Sequence, residues 1–158
     1  MLDGRAWSEY SPNKVCTMNT STSGFTQAAN QAQQWVNELA DDLGWSEHRA
    51  HRLLRSVLHA LRDWLTEDEM ADLAAQLPAL IRGIYFEGWN PADTPVENRG
   101  KAAFVARIQR DMSHEPLDDP ESSITTVFNL LGRHLDEGEI TQVRNSMKKS
   151  LRQLWPAD

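Results

Sequence analysis

Positively charged side chains recur at helical spacing between residues 52 and 62. Arg52, Arg55, His59 and Arg62 are three or four positions apart, so a helix would place all four on one face. Such a face could bind an anion or an acidic partner, with Arg52, Arg55 and His59 as candidate contacts. Most such faces are instead solvated surfaces whose ion pairs each contribute under ~1 kcal/mol. The sequence leaves both interpretations open.

Two further histidines, His48 and His51, are three positions apart and invite the hypothesis of a metal site. The sequence around them contains no His-Glu-x-x-His or comparable ligand pattern. The one cysteine, Cys16, excludes an internal disulfide and a cysteine-based zinc site. We therefore predict neither a bound metal nor a cofactor.

Three aromatic residues, Tyr85, Phe86 and Trp89, stand together just before Pro91. They could line a binding cleft with Arg82 beside them. They could instead pack two parts of the chain together, since a tryptophan ring buries up to ~250 Å². Packing is the interpretation that we favour, and Tyr85, Trp89 and Arg82 are kept as candidate binding residues.

Catalytic motifs are missing from the sequence. It has no phosphate-binding Gly-rich loop, no Gly-x-Ser-x-Gly motif and no plausible base for Cys16. The acids Glu67 with Glu69, and Glu137 with Glu139, are better explained as helix caps than as paired catalytic carboxylates. The sequence therefore favours a protein that is not an enzyme.

The composition is typical of a soluble globular protein of one domain. The chain has 158 residues, of which 40% are hydrophobic and 25% are charged. Its net charge of −7 works against binding to phosphate backbones. No apolar run approaches the roughly 18 residues of a membrane span, and the N-terminus does not resemble a signal peptide. We predict a cytoplasmic protein that binds neither nucleic acid nor membranes.

The first 25 residues are polar, rich in Ser and Thr, and without apolar periodicity. This composition predicts a disordered tail over residues 1–25. Either Met1 or Met18 could be the true start of the protein.

The remainder of the chain looks duplicated, because adding 70 to a position carries one segment onto another. "VLHALRDWLTEDEMADL", which begins at Val57, falls on "VFNLLGRHLDEGEITQV", which begins at Val127. Arg82 then falls on Arg152 in the same register. We predict a first repeat at about 26–87, a connector at 88–99 and a second repeat at about 100–155.

Each repeat is predicted to contain three helices. The fold class is therefore all-α: a six-helix bundle of two tandem repeats, related by a pseudo-two-fold axis, within one domain over residues 26–158. The first helix is predicted from about Thr26, and Pro78 predicts a break in the third helix near Leu77.

Local signals mark where these helices begin and end. The predicted signals are the N-caps Ser46 and Asp119, the capping boxes Thr66–Glu69 and Asp136–Glu139, and the glycine stops Gly44 and Gly88.

With these features in view, the chain resembles the bacterial domain of unknown function 2267. The resemblance rests on "RLLRSVLHALRDWLTEDEMADLAAQLPALIRGIYFEGWNP" and the following "ADTPVENRGKAAFVARI", and covers roughly residues 28 to 155. It implies a duplicated, compact helical domain in a soluble bacterial protein with a link to stress responses. It implies no catalytic residue.

Two functions follow as hypotheses. The first is a non-enzymatic helical module that binds a protein partner, with self-association left open. The alternative is a protein that binds or converts a small molecule in a groove between the repeats, near Tyr85, Trp89 and Arg82.

Overall fold

The structure is a computed structural model that describes the backbone of residues 12–156 and the side chains of residues 24–156. Over this range it contains eight α-helices, one short 3₁₀ helix at Pro91–Asp93 and no β-strand, which confirms the all-α prediction. The α-helices are α1 (Pro12–Leu43), α2 (Glu47–Trp64), α3 (Glu67–Gln76), α4 (Ala79–Phe86), α5 (Lys101–Asp111), α6 (Pro120–His134), α7 (Glu137–Ser146) and α8 (Lys149–Arg152).

The first helix begins earlier than the sequence indicated. α1 begins at Pro12, whereas the apolar periodicity placed its start near Thr26. Residues 1–11 of the predicted tail lie outside the described residues, and residues 12–25 belong to α1. A polar sequence lacks a buried face, but the hydrogen bonds of a helix are made by its own backbone.

Most of the predicted helix ends are confirmed, because the signals that set them are local. Ser46 and Asp119 each accept a hydrogen bond from a backbone N–H of the first turn. Thr66 and Glu69 form the complete capping box. Gly44 and Gly88 have φ of +69° and +68°, the left-handed conformation that glycine adopts without steric cost.

The second predicted capping box is only half formed. The Asp136 carboxylate accepts hydrogen bonds from the N–H groups of Gly138 and Glu139. Glu139 does not return a bond to the Asp136 N–H, and its Oε1 is buried without a partner among the described residues. Burial is the main cause that raises the pKa of Glu139, followed by the nearby charges of Asp72 and Asp136.

The prediction of six helices is wrong, because the third and sixth segments are each divided in two. The break at Leu77 and Pro78, between α3 and α4, was expected from the proline. The break at Met147 and Lys148, between α7 and α8, has no proline to signal it. There the Arg152 guanidinium donates to the carbonyl oxygen of Met147 at 2.9 Å. This hydrogen bond replaces the one that the carbonyl would accept in a continuous helix.

Helix α2 lies at the centre of the molecule. It packs against α1, α3, α4, α5 and α6, and most of its residues are buried. One continuous hydrophobic cluster extends from Trp35 in α1 to Trp155 after α8. The helices of both halves of the chain therefore share a single core.

Candidate functional site

Three of the candidate residues come together on the face of α2 that looks towards α5. Arg52, Arg55 and His59 line a pocket of about 300 Å³, and α5 contributes Arg107 and Asp111 to it. The helical spacing of the α2 residues brings them to one face, as predicted. The packing of α5 against α2 supplies the other wall.

Every arginine of this pocket is paired with a carboxylate. The pairs are Arg52 with Glu115 (3.1 Å), Arg55 with Glu87 (2.9 Å) and Arg107 with Asp63 (3.0 Å). Ser56 also lines the pocket, and its hydroxyl donates to Asp111 at 2.6 Å. The charges are therefore balanced inside the molecule, and they join α2 to α5 and to the segments that follow α4 and α5.

The surroundings of His59 favour the neutral form of its ring. Its Nε2 lies 2.7 Å from the carbonyl oxygen of Ile84, so this nitrogen carries the proton and donates it. Burial is the largest cause that lowers the pKa of His59, and the charges of Arg62 and Arg55 lower it further. The hydrogen bond to Ile84 and the charge of Glu87 act in the opposite direction.

Arg62 is buried, although its helical spacing placed it on the same face as Arg52, Arg55 and His59. Its side chain is 3% exposed and pairs with Asp63 through two hydrogen bonds, of 2.8 and 3.1 Å. It also donates to the carbonyl oxygens of Tyr85 (3.0 Å) and Glu87 (2.7 Å). Arg62 therefore ties the end of α2 to the end of α4.

The other candidates are engaged in contacts within their own part of the chain. Tyr85 is fully buried and donates its hydroxyl to the carbonyl oxygen of Met70 at 3.1 Å. Burial raises the pKa of this hydroxyl well above its usual value. Arg82 donates to the carbonyl oxygens of Ala74 (2.8 Å) and Leu77 (2.9 Å), where it closes the break between α3 and α4.

Trp89 is half-buried at the start of the connector. Its ring lies 5.6 Å from that of Phe86, and its Nε1 donates to the Thr94 hydroxyl at 3.2 Å. Further along, the N–H of Val96 donates to the carbonyl oxygen of Asp63 at 2.9 Å. The connector is thus fixed to the end of α2 as well as to α4.

The sequence analysis missed the acidic partners of this face. Glu87, Glu115 and Asp63 lie 32 to 63 positions away from, or directly beside, the arginines that they neutralise. One local signal was present: the pair Arg62 and Asp63 interrupts an otherwise apolar stretch from Ala60 to Leu65.

The residues with described side chains contain no group of three His, Cys, Asp or Glu positioned to hold a metal ion. Across the described part of the chain, no helix has the length and apolar character required to cross a membrane.

The fold and this site define an all-helical domain in which one buried central helix carries an internal network of ion pairs. The family model described as "uncharacterized conserved protein (DUF2267)" matches residues 32–154, so the chain belongs to the DUF2267 family. The match begins in the part of α1 where its side chains start to enter the core. A comparison with curated proteins finds no match.

Proposed function

We propose that the protein is a non-enzymatic, cytoplasmic module that binds a protein partner through the part of α1 around Phe25. The observation that carries this proposal is the exposure of the Phe25 ring, which is 78% accessible to solvent. Among the residues with described side chains, the other large apolar group with comparable exposure is Leu80, at 48%.

Phe25 continues the apolar stripe by which α1 docks onto the bundle. Ala28, Ala32, Trp35 and Leu39 follow it at spacings of three or four residues, which places all five on one face of the helix. Trp35 and Leu39 are buried, Ala28 and Ala32 are half-buried, and Phe25 is exposed. The stripe thus extends past the surface that its own bundle covers.

A partner that covers Phe25 would gain both affinity and specificity. Burying one phenylalanine side chain contributes roughly 1.5–3 kcal/mol. Exposed aromatic residues are also the usual anchors of protein interfaces, where a few of them supply most of the binding energy. The part of α1 around Phe25, from Gly24 to Gln31, carries no charge that would oppose docking of an apolar surface.

The polar side chains on this face of α2 already form hydrogen bonds and ion pairs within the molecule. This supports a non-enzymatic role. A catalytic acid or base must reach a substrate atom within about 2.6–3.2 Å. His59 already donates to Ile84, Ser56 donates to Asp111, and Arg52, Arg55 and Arg107 are neutralised by carboxylates.

We further propose that the bundle consists of two copies of one unit related by a pseudo-two-fold axis. Three kinds of observation support the duplication. The break residues Pro78 and Lys148, 70 positions apart, have φ and ψ of −57° and 153° and of −59° and 146°. Arg82 and Arg152, also 70 apart, each donate to two backbone carbonyls at their break.

The third support is the exchange of helices between the halves. α1 of the first half packs against α6 of the second, and α5 of the second packs against α2 of the first. α3 and α7, which occupy the same place in the two halves, contact each other. Such reciprocal packing is what a two-fold axis between equivalent units generates.

The test of partner binding is crosslinking from a defined position. A photoreactive phenylalanine analogue is introduced at Phe25 in one variant and at Gln27 in the matched control, because Gln27 is exposed on the same helical turn but off the stripe. Illumination in the native cell should give one dominant adduct from position 25 and little from position 27. An adduct of twice the mass of the chain would identify a second copy as the partner.

A second variant, Phe25→Ser, keeps the helix exposed but removes the ring. It should lose the crosslinked partner from co-purification while its thermal unfolding is unchanged, since Phe25 contributes little to the core. Equal adducts from positions 25 and 27, or co-purification that survives Phe25→Ser, would contradict the proposal.

A further inference from the structure

A second pocket lies where the two halves of the chain meet. Its volume is about 240 Å³, and it is bounded by the end of α2, the connector and the break between α7 and α8. Its walls include Trp64, Arg99, Met147, Lys148, Leu151 and Arg152. None of these residues was a candidate in the sequence analysis.

The charges of this pocket are not balanced, in contrast to those on the face of α2. Arg99, Lys148 and Arg152 contribute three cations, and among the described residues no Asp or Glu lines the pocket. Arg99 is half-buried, and within residues 24–156 neither it nor Lys148 forms an ion pair or a hydrogen bond through its side chain. Three cations that line one pocket with no carboxylate among its described lining residues are unusual in a chain with 23 acidic and 16 basic residues.

Arg152 is held in place before any ligand arrives. Its Nε donates to the carbonyl oxygen of Met147 and its Nη2 to that of Asn145, both at 2.9 Å. A guanidinium has five N–H donors, so three remain for another acceptor. Fixing the side chain in advance removes part of the entropy cost of binding.

Arg82 provides an internal comparison, because it closes the equivalent break in the first half in the same way. Pro78 stands there in place of Lys148, so the matching position carries no second cation. The convergence of positive charge is therefore particular to the second half and is not a requirement of the break itself.

From this arrangement we infer that the pocket binds the phosphate group of a small molecule. A phosphate monoester carries a charge of about −1.5 to −2 at pH 7, which balances three cations better than the single charge of a carboxylate does. Arginine also binds phosphate oxygens through two parallel hydrogen bonds. The pocket is slightly smaller than sites for drug-sized ligands, which start at about 300 Å³, so it suits a phosphate with a small organic group.

The apolar wall favours an ester over the free ion. Trp64, Met147 and Leu151 are buried residues that line the same pocket as the cations. A small organic group attached to the phosphate could lie against this wall, whereas inorganic phosphate would leave it uncovered. This inference is independent of the Phe25 surface, and either can fail without the other.

The experiment is a titration of the full chain at constant ionic strength with three probes: inorganic phosphate, phenyl phosphate and acetate. Heat of binding and the backbone amide shifts of residues 145–152 are followed together. We expect saturable binding of both phosphates with shifts confined to this segment and the connector, and at least tenfold weaker binding of acetate. Tighter binding of phenyl phosphate would identify an ester as the ligand, and equal or tighter binding of inorganic phosphate would identify the free ion.

Matched variants separate a built site from a diffuse positive surface. Arg99→Gln and Lys148→Gln should each weaken phosphate binding about tenfold, because each removes a charge-assisted contact. Arg110→Gln and Lys149→Gln remove the same charge from exposed positions outside the pocket and should change the affinity less than twofold. Arg99 and Lys148 make no side-chain bond within the described residues, so the folding of these variants should not be affected.

Three results would overturn the inference. They are the absence of saturable phosphate binding, an equal loss of affinity in the pocket and control variants, and binding of acetate as tight as that of both phosphates. Arg152→Gln and Arg82→Gln complete the comparison, since each replaces a side chain that donates to two backbone carbonyls at its break. A loss of phosphate binding in both to the same extent would also count against the site.

Discussion

Arg62 and Asp63 form a charged pair in a place where the surrounding residues are apolar. The pair is stable there because Arg62 makes four hydrogen bonds and Arg107 supplies a second cation to Asp63. Burying two charges is costly unless the geometry and the remaining hydrogen bonds compensate. At the residue scale this pair, more than any exposed ion pair of α2, should determine stability.

Replacement of Arg62 tests this expectation. Arg62→Met should lower the free energy of unfolding by about 2–4 kcal/mol, because it leaves Asp63 with Arg107 as its one remaining cation and removes the donor to the buried carbonyl of Tyr85 and the part-buried carbonyl of Glu87. Arg55→Met, at an ion pair that is about half exposed, should cost under ~1 kcal/mol. Urea denaturation of both variants measures the difference, and similar midpoints would contradict the assignment.

His59 gives the stability a defined dependence on pH. Its folded pKa is lowered below the usual 6.5, so between the two values the unfolded chain binds more protons than the folded one. The stabilising effect of the neutral ring is therefore fully present above pH 6.5 and is lost as the pH falls below it. The slope due to this one group cannot exceed about 1.4 kcal/mol per pH unit.

His59→Gln isolates the contribution of this residue, since the glutamine amide can still donate to Ile84 but does not titrate. We expect the free energy of unfolding of the wild type to fall more steeply between pH 6.5 and pH 5 than that of the variant. Urea denaturation across this range measures both slopes. Parallel curves would show that the folded pKa of His59 is not lowered.

At the scale of elements, the two helix breaks show how similar geometry arises from different residues. Pro78 forces its break, whereas Lys148 adopts almost the same φ and ψ without covalent restraint. The residue before each, Leu77 or Met147, is extended, which is the conformation that a following proline requires.

Lys148→Pro should therefore be accepted by the fold. Because proline restricts the unfolded chain, we expect the variant to be unchanged or more stable by about 0.4–1 kcal/mol. Lys149→Pro, at the first position of α8, is the control for a proline placed one residue later in the chain. A loss of more than about 2 kcal/mol in Lys148→Pro would contradict the proposed equivalence of the two breaks, as measured by thermal unfolding.

At the scale of the whole molecule, contacts between the halves predict that the described helices unfold as one cooperative unit. The Trp35 ring stacks on His134 at a centroid distance of 4.7 Å, and Arg133 forms an ion pair with Asp42 at 2.7 Å. On the other side, Phe104 meets the edge of Trp64 at 5.4 Å. Each half thus covers an apolar helix of the other.

Separation of the halves should expose these faces. Residues 26–92 and 98–158, expressed alone, should be molten, aggregated or dimeric, because about 60 residues form a marginal core even when it is complete. Mixing the two fragments should restore a cooperative transition. Circular dichroism melts with size-exclusion chromatography test this, and two monomeric halves that each unfold sharply would contradict it.

Features that depend on neighbouring residues were determined by the sequence. The capping box of Thr66 and Glu69, the glycine stops and the proline break at Leu77 are set by backbone hydrogen bonds and dihedral limits within a few positions. The apolar stripes identified the all-helical class in the same way, since a period of about 3.6 residues needs no knowledge of the partner surface.

Only the tertiary structure decided which charges are buried and which pockets they line. Arg62 has the spacing of a surface residue, and its burial follows from the ends of α4 and α2 meeting. The break at Lys148 depends in part on a side chain four residues later. Arg99 lines the same pocket as Lys148 and Arg152, which are about 50 positions later, and helical periodicity carries no information on proximity at that separation.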